Sequence, residues 1–265
     1  MPTDVIDYQI IGDDLQAVVI TLDPDEAVVA EAGAMMYMED GVEMATSLSM
    51  RDEGGLFGRL FKAGKRLITG ESFFITVFAN GANVRRDVAF ASPYPGHVVP
   101  VELGDHGGTV ICQKDAFLCG ARGIDVDIAF QRRLGVGFFG GEGFILQRIT
   151  APDGDGGLTF LHAGGSVLRR ALGPNETLRV DTGCIVGFET SVDYDIQFVK
   201  GIKNKLFGGE GLFYATLRGP GVVWLQTLPF SRLAGRIYAA APQGGGKRQG
   251  EGSILGGIWD LVDGR

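Results

Sequence analysis

The sequence predicts an all-β protein made of three repeated antiparallel β-modules arranged with pseudo-threefold symmetry. Glycine accounts for 43 of 265 residues, about twice the usual share of roughly 7%, whereas proline accounts for only 10. Glycine in excess without proline is typical of a chain with many tight turns and bulges. Short apolar runs rich in β-branched residues alternate with these turns, which is typical of β-sandwiches and barrel-like rolls.

A Gly-Glu element that leads into an apolar run occurs three times and indicates the repeat. Its glutamates are Glu71, Glu142 and Glu210, which lie 71 and then 68 residues apart in the numbering. A fixed period of this size is the mark of a repeated structural unit. The repeat predicts modules at 1–92, 93–166 and 167–242, followed by a Gly-rich linker and tail at 243–265.

Two segments that align without a gap predict a strand, a turn and a second strand in the first and third modules. They are residues 22–38 and 172–188, and each has a proline followed by Asp or Asn at the turn. This pair of residues favours a β-turn. In the second module the turn after Leu103 is Gly-rich and one residue longer.

The second half of each module is predicted to hold a pair of strands joined by a turn such as Asn80-Gly81. These strand pairs are 73–78 with 88–91, 144–149 with 158–162, and 212–217 with 222–226. The first module has about ten extra residues before its glutamate. Helical spacing is found only at 56–67 and in the tail beyond Gly246.

Composition restricts the function classes. The net charge of −8 and the pI near 4.9 argue against a nucleic-acid-binding surface. Three cysteines do not form a disulfide framework and fit a reducing compartment. Neither a signal peptide nor an apolar run of membrane-spanning length is evident. The sequence therefore predicts a cytoplasmic protein, either soluble or peripheral to a membrane.

Three segments without acidic residues, at 54–70, 128–141 and 196–209, precede the Gly-Glu elements, and we call them the basic connectors. They hold nine of the 24 basic residues together with exposed-looking aromatic residues. Such basic amphipathic segments can bind an anionic membrane surface or an acidic protein partner, although long loops also carry Lys and Arg for solubility. The predicted contact residues are Phe57, Arg59, Phe61, Lys62, Lys65, Arg66, Arg132, Arg133, Phe138, Phe139, Lys200, Lys203, Lys205 and Phe207.

A catalytic constellation is not found in the sequence. His97, His106 and His162 are scattered, and no second ligand lies at metal-binding spacing. Cys112 and Cys119 fall in strand-like sequence and are interpreted as buried structural thiols. Residues 135–140 match GxGxxG, but no helix or βαβ unit follows them. We therefore expect neither an enzyme nor a bound cofactor.

The three glutamates allow two interpretations. Glu71, Glu142 and Glu210 could converge on the pseudo-threefold axis and bind a hard cation through their oxygens. Converging carboxylates repel one another unless a metal, protons or basic partners neutralise them. Alternatively, each glutamate caps its own loop, and this second interpretation is favoured.

The turn segment at 172–188, the FGGEG runs at 139–143 and 207–211, and GEGSILGG at 250–257 resemble the "altered inheritance of mitochondria" family. The resemblance covers nearly the whole chain. It implies the superfamily of folds similar to the tryptophan RNA-binding attenuation protein, with a double-stranded β-helix-like module repeated in the chain. It also implies a link to mitochondrial membrane organisation in some relatives, and it supplies no catalytic residues.

Two functional hypotheses follow. The first is a non-enzymatic binding or scaffold protein that contacts a membrane surface or an acidic protein partner through the basic connectors. The second is a protein that binds a small ligand or a cation in a pocket at the junctions between modules, with an enzymatic role as an extension of it.

Overall fold

A computed structural model describes residues 3–31, 33–46, 75–132, 144–152, 154, 156–198 and 213–241. The chain forms two compact units, Met1–Pro229 and Phe230–Arg265. The described residues of the first unit form antiparallel sheets, and those of the second form one helix, α1, at Phe230–Ala240. The predicted all-β class is confirmed.

The strands are β1 Asp7–Ile11, β2 Ala17–Leu22, β3 Ala27–Glu31, β4 Met35–Met38, β5 Val42–Thr46, β6 Ile75–Asn80, β7 Arg86–Ala91, β8 Gly96–Glu102, β9 Thr109–Gln113, β10 Phe117–Ala121, β11 Asp125–Arg132, β12 Phe144–Thr150, β13 Leu158–Gly164, β14 Val167–Leu172, β15 Thr177–Asp181, β16 Ile185–Glu189, β17 Asp193–Phe198, β18 Phe213–Arg218 and β19 Gly221–Gln226. Short 3-10 helices lie at Leu103–His106, Lys114–Ala116 and Thr182–Cys184.

The strands after β1 fall into three consecutive groups of six, namely β2–β7, β8–β13 and β14–β19, and the same pairings recur in each group. The first and third strands of a group pair with its sixth strand, as β2 and β4 do with β7. The second and fourth strands pair with the fifth, as β3 and β5 do with β6. Each group therefore contributes three strands to each of two sheets.

Neighbouring groups are joined by strand pairing. The second strand of one group pairs with the third strand of the next, through β3 with β10 and through β9 with β16. We call these pairings the first and second junctions. They produce two six-stranded sheets, ordered β5-β6-β3-β10-β13-β8 and β11-β12-β9-β16-β19-β14, flanked by the sheets β1-β2-β7-β4 and β15-β18-β17.

The hydrophobic core lies between successive sheets. One cluster, which includes Phe78 and Phe90, lies between the β1-β2-β7-β4 sheet and the first six-stranded sheet. A second cluster, which includes Leu161 and Trp224, lies between the two six-stranded sheets. A third, which includes Phe188, lies between the second six-stranded sheet and the β15-β18-β17 sheet. The six-stranded sheets are thus buried on both faces, which explains why β6 and β10 are apolar throughout and do not alternate.

The predicted turns of the first and third groups are present. Pro24 precedes Asp25 at φ 67°, and Pro174 precedes Asn175 at φ 65°. In the third group, the backbone N–H of Glu176 donates to the carbonyl of Gly173 over 3.0 Å, which gives the pattern of a type II turn. The turn of the second group uses the 3-10 helix at Leu103–His106 and two glycines at positive φ instead.

The predicted hairpin partners in the second half of each group are wrong. β6 and β7 follow each other in the chain but lie in different sheets, as do β12 and β13, and β18 and β19. Sequence-local turn signals such as Asn80-Gly81 mark a reversal of the chain, but they do not state whether the chain returns in the same sheet. Here the reversal crosses the core, because both strands need a buried face.

Helix α1 was not predicted, since the third module was expected to be β-structure as far as residue 242. Leu233 and Ile237 are spaced for one helical face, and Pro229 stands immediately before the first turn. The helical spacings at 56–67 and beyond Gly246 lie outside the described residues.

The turn at Asn175 generates a stability prediction. Alanine has a β-carbon that disfavours the left-handed region, so Asn175→Ala should lower the free energy of unfolding by about 1 kcal/mol. Asn175→Gly, the matched control, should stay within about 0.5 kcal/mol of wild type because glycine adopts this φ freely. Urea denaturation measures both, and equal stability of the two variants would contradict the turn geometry.

Candidate functional site

Nearly all of the predicted contact residues lie outside the described residues. These are Phe57, Arg59, Phe61, Lys62, Lys65, Arg66, Arg133, Phe138, Phe139, Lys200, Lys203, Lys205 and Phe207, as well as Glu71, Glu142 and Glu210. The backbone of Arg132 is described as the last residue of β11. Whether the three glutamates converge therefore stays a prediction.

The strands that flank the basic connectors are described, and they pair with one another. The Cα partners nearest the connectors are Thr46 with Thr76, Arg132 with Phe144, and Phe198 with Phe213. In every group the connector thus runs between the fourth and fifth strands, at the open end of the same hairpin. The described strands give the three connectors one common position in the strand order.

At the first junction a carboxylate from the start of the chain links the two groups. Asp4 accepts hydrogen bonds from the backbone N–H of Ala27 over 3.0 Å and from the guanidinium of Arg122 over 2.8 Å. Arg122 in turn donates its backbone N–H to the carbonyl of Ala27 over 3.0 Å. The Asp4 and Arg122 side chains are each only 12% exposed. An ion pair so shielded from water is screened less than a surface pair.

At the second junction the linking groups are His106 and Glu189. His106 Nδ1 lies 2.6 Å from Glu189 Oε1, and the second carboxylate oxygen accepts the backbone N–H of Val222 over 2.8 Å. The His106 ring also meets Trp224 edge to face, with ring centroids 5.0 Å apart. Burial alone would raise the pKa of Glu189, but the hydrogen bonds from His106 and Val222 lower it below its ordinary value.

A third polar group, which we call the Tyr94–His162 cluster, consists of Tyr94, His162, Glu31 and Asp115. The Tyr94 and His162 rings meet edge to face with centroids 4.5 Å apart, and His162 is only 2% exposed. A β-carbon at Gly96 would come within 2.5 Å of His162 Nε2, so the glycine leaves the space that the imidazole fills.

Burial and charge perturb these groups. Burial lowers the pKa of His162 to about 4. Burial, followed by the nearby charges of Asp115 and Glu31, raises the pKa of Tyr94 to about 12. Burial and the charge of Asp115 also raise the pKa of Glu31. At neutral pH the imidazole is a weak base and the phenol a weak acid, so neither is matched to proton transfer.

The other chemistry-bearing side chains have structural environments. Cys112, Cys119 and Cys184 are free, and the first two are buried as predicted. Burial raises the pKa of both buried thiols, which leaves them unreactive at neutral pH. Within the described part of the chain, no group of three or more His, Cys, Asp or Glu residues is placed to hold a metal ion.

The three histidines occupy three separate places, as their scattered positions in the sequence suggest. His97 contacts the carbonyl of Gly165 over 2.6 Å, His106 contacts Glu189, and His162 lies against Tyr94. Sequence reasoning missed the pairs Asp4–Arg122 and His106–Glu189, whose members are 118 and 83 residues apart. No local sequence signal identifies such pairs, because the strand order brings them together.

The fold and its polar groups together define the class of protein. It is a β protein of layered sheets in which successive six-stranded groups share a sheet, and its described polar clusters hold the groups together. The chain belongs to the mitochondrial biogenesis AIM24 family, whose model matches residues 8–228.

Relatives are found in Streptococcus pyogenes. The chain is 28% identical over 227 residues to an uncharacterized protein of serotype M6, a match that covers 84% of this chain and 86% of that protein. It also resembles the crystal structure of a Streptococcus pyogenes protein at 25% identity and a TM-score of 0.68, covering 89% of this chain and all of that one. Among the described residues, no helix is long and apolar enough to cross a membrane.

His162 generates a prediction on pH dependence. Its pKa of about 4 lies below the 6.5 of an unfolded chain, so between these values the unfolded state binds more protons than the folded state. Stability should therefore fall as the pH falls through this window, by about 1–2 kcal/mol between pH 7 and pH 5.

His162→Gln should lose this part of the pH dependence, because glutamine does not titrate. Urea denaturation of both proteins at several pH values measures the difference in slope, independently of the lower absolute stability expected for the variant. Parallel curves for wild type and variant between pH 7 and pH 5 would show that His162 does not resist protonation.

Proposed function

We propose that the protein is a non-enzymatic scaffold that binds an anionic membrane surface through its three basic connectors. The observation that carries the proposal is the position of the connectors between the paired fourth and fifth strands of every group. Nine of the 24 basic residues of an acidic chain lie in these three places. Basic residues interleaved with aromatic ones are suited to lipid headgroups and the adjoining acyl boundary.

The proposal includes an internal repeat, in which each six-stranded group is one copy of the same module. The pairing pattern shared by the groups supports it. Ala79, Thr150 and Arg218 take the same place opposite the second strand of their groups. They lie 71 and 68 residues apart, which is also the spacing of Glu71, Glu142 and Glu210.

The extra residues of the first copy are consistent with this repeat. Glu43, Asp125 and Asp193 take equivalent places on the fourth strands and lie 82 and 68 residues apart. The first spacing exceeds that of the fifth strands, so the insertion falls between β5 and β6, inside the first connector. The pseudo-threefold arrangement and the likeness to the tryptophan RNA-binding attenuation protein superfamily are further parts of the proposal.

Flotation on anionic liposomes tests the membrane role. A Lys62, Lys65 and Arg66 triple alanine variant should float several-fold less than wild type on vesicles that contain phosphatidylserine, because each basic residue near the surface contributes about 1 kcal/mol. Binding of the wild type should weaken with added salt and be absent on neutral vesicles.

The matched control removes three positive charges from elsewhere on the surface. Arg85, Arg148 and Arg218 are exposed and lie outside the connectors. Their triple alanine variant should float like wild type if position rather than total charge decides binding. If wild type fails to float on anionic vesicles, or if both variants lose binding equally, the membrane role is wrong.

A second candidate function is cation or small-ligand binding at the module junctions. It is favoured by the Tyr94–His162 cluster, where burial and the charge of Asp115 raise the pKa of Glu31, so that a bound cation would relieve the repulsion. Calorimetric titration with Ca²⁺ or Mg²⁺ should then give heat in wild type that a Glu31→Gln, Asp115→Asn variant lacks. A Glu71, Glu142 and Glu210 triple Gln variant tests the other carboxylates, and absence of heat in wild type overturns this function.

A further inference from the structure

Two strands at opposite ends of the strand order have free edges in the described part of the chain. β4 pairs only with β7, and β15 pairs only with β18. Their counterparts in the other groups have partners on both sides: β10 and β16 each also pair with the second strand of the preceding group, and β3 and β9 each also pair with the third strand of the following group. The edge of β4 therefore awaits a second strand, and that of β15 awaits a third strand.

The side chains of β4 record the missing neighbour. Met36, Tyr37 and Met38 are between 39 and 50% exposed. The residues at the same register positions of β10 and β16 include Leu118, Cys119, Val186 and Phe188, and all of these are at most 2% exposed. Three large apolar side chains on a free strand edge form a surface suited to strand addition.

We propose that a second copy of this chain docks by pairing its β15 with β4, which continues the junctions head to tail between molecules. The proposal rests on the internal repeat of the preceding subsection, because the repeat supplies the partner. The described edges belong to one chain, yet they are not paired with each other. A second copy carries the strand that each edge would accept.

The occupied junctions give the register of this contact. Cys119 pairs with Ala30, and Gly187 pairs with Cys112, each at the residue after the register shift in its strand. Tyr37 follows the corresponding shift in β4. In the new junction Tyr37 is therefore opposite Val180, Met38 opposite Arg179, and Glu39 opposite Leu178.

Such an assembly joins two different edges, so its interface is heterologous. Interfaces of this type close into rings when the rotation between copies allows it and otherwise extend as filaments. Every added copy brings three more basic connectors, which raises the avidity of the assembly for a surface without any new type of contact.

The pair Met38–Arg179 allows a charge-swap test of the register. Met38→Lys places a lysine opposite Arg179, and like charges directly opposite one another destabilise strand pairing. Light scattering coupled to size exclusion should give wild type a mass that is a multiple of 28.2 kDa and give Met38→Lys the mass of a monomer. The double variant Met38→Lys, Arg179→Glu should recover the wild-type mass.

A mixture of Met38→Lys chains with Arg179→Glu chains should also assemble, because the lysine introduced into one chain then meets the glutamate introduced into the other. This result requires contact between molecules and cannot arise from pairing within one chain. Circular dichroism should show the same β content and melting temperature for all variants, since both positions are exposed.

A monomeric wild type at about 100 µM would overturn the proposal, as would an assembly that Met38→Lys leaves intact. A monomer whose β4 amides are protected from hydrogen exchange would assign the edge to another segment of the same chain, and that also overturns it. Met38→Lys keeps all three basic connectors, so flotation of this variant separates failure of the assembly from failure of the membrane role.

Discussion

The structure depends on the pairing of a second strand with the third strand of the following group. Through this pairing β3 and β10 join half of one group to half of the next in one six-stranded sheet, and β9 and β16 do the same. Backbone N–H and C=O groups in the interior of a sheet buried on both faces have no access to water and must be paired. The groups are therefore held together by the backbone itself, and side chains add to a connection that already exists.

The polar clusters are placed where this connection needs support. Asp4 and Arg122 lie at the first junction, and His106 and Glu189 lie at the second. Each cluster joins a side chain to a backbone N–H as well as to its charged partner. Removing one member would leave a shielded group without its partner, so these clusters are better interpreted as locks between groups than as catalytic sites.

The same constraint accounts for the free edges. A chain of three groups connected in series has two internal junctions and leaves one half of a junction at each end. The first end carries the exposed Met36, Tyr37 and Met38, and the last end carries Arg179 on an exposed strand. Functional surfaces in such a protein are expected at these ends and at the connectors, because the two middle sheets are covered on both faces.

The sequence by itself determined the all-β class, the period of about 70 residues, the turns at Asp25 and Asn175, and the buried Cys112 and Cys119, because each of these depends on local residue chemistry. Tertiary structure alone decided which strands pair: β6 and β7 follow one another but lie in different sheets, and β3 meets β10. It likewise brought Asp4 to Arg122 and His106 to Glu189. Pairing between distant strands is decided by the simultaneous burial of both faces of a sheet and by the satisfaction of its backbone hydrogen bonds, and neither condition is written in any short stretch of residues.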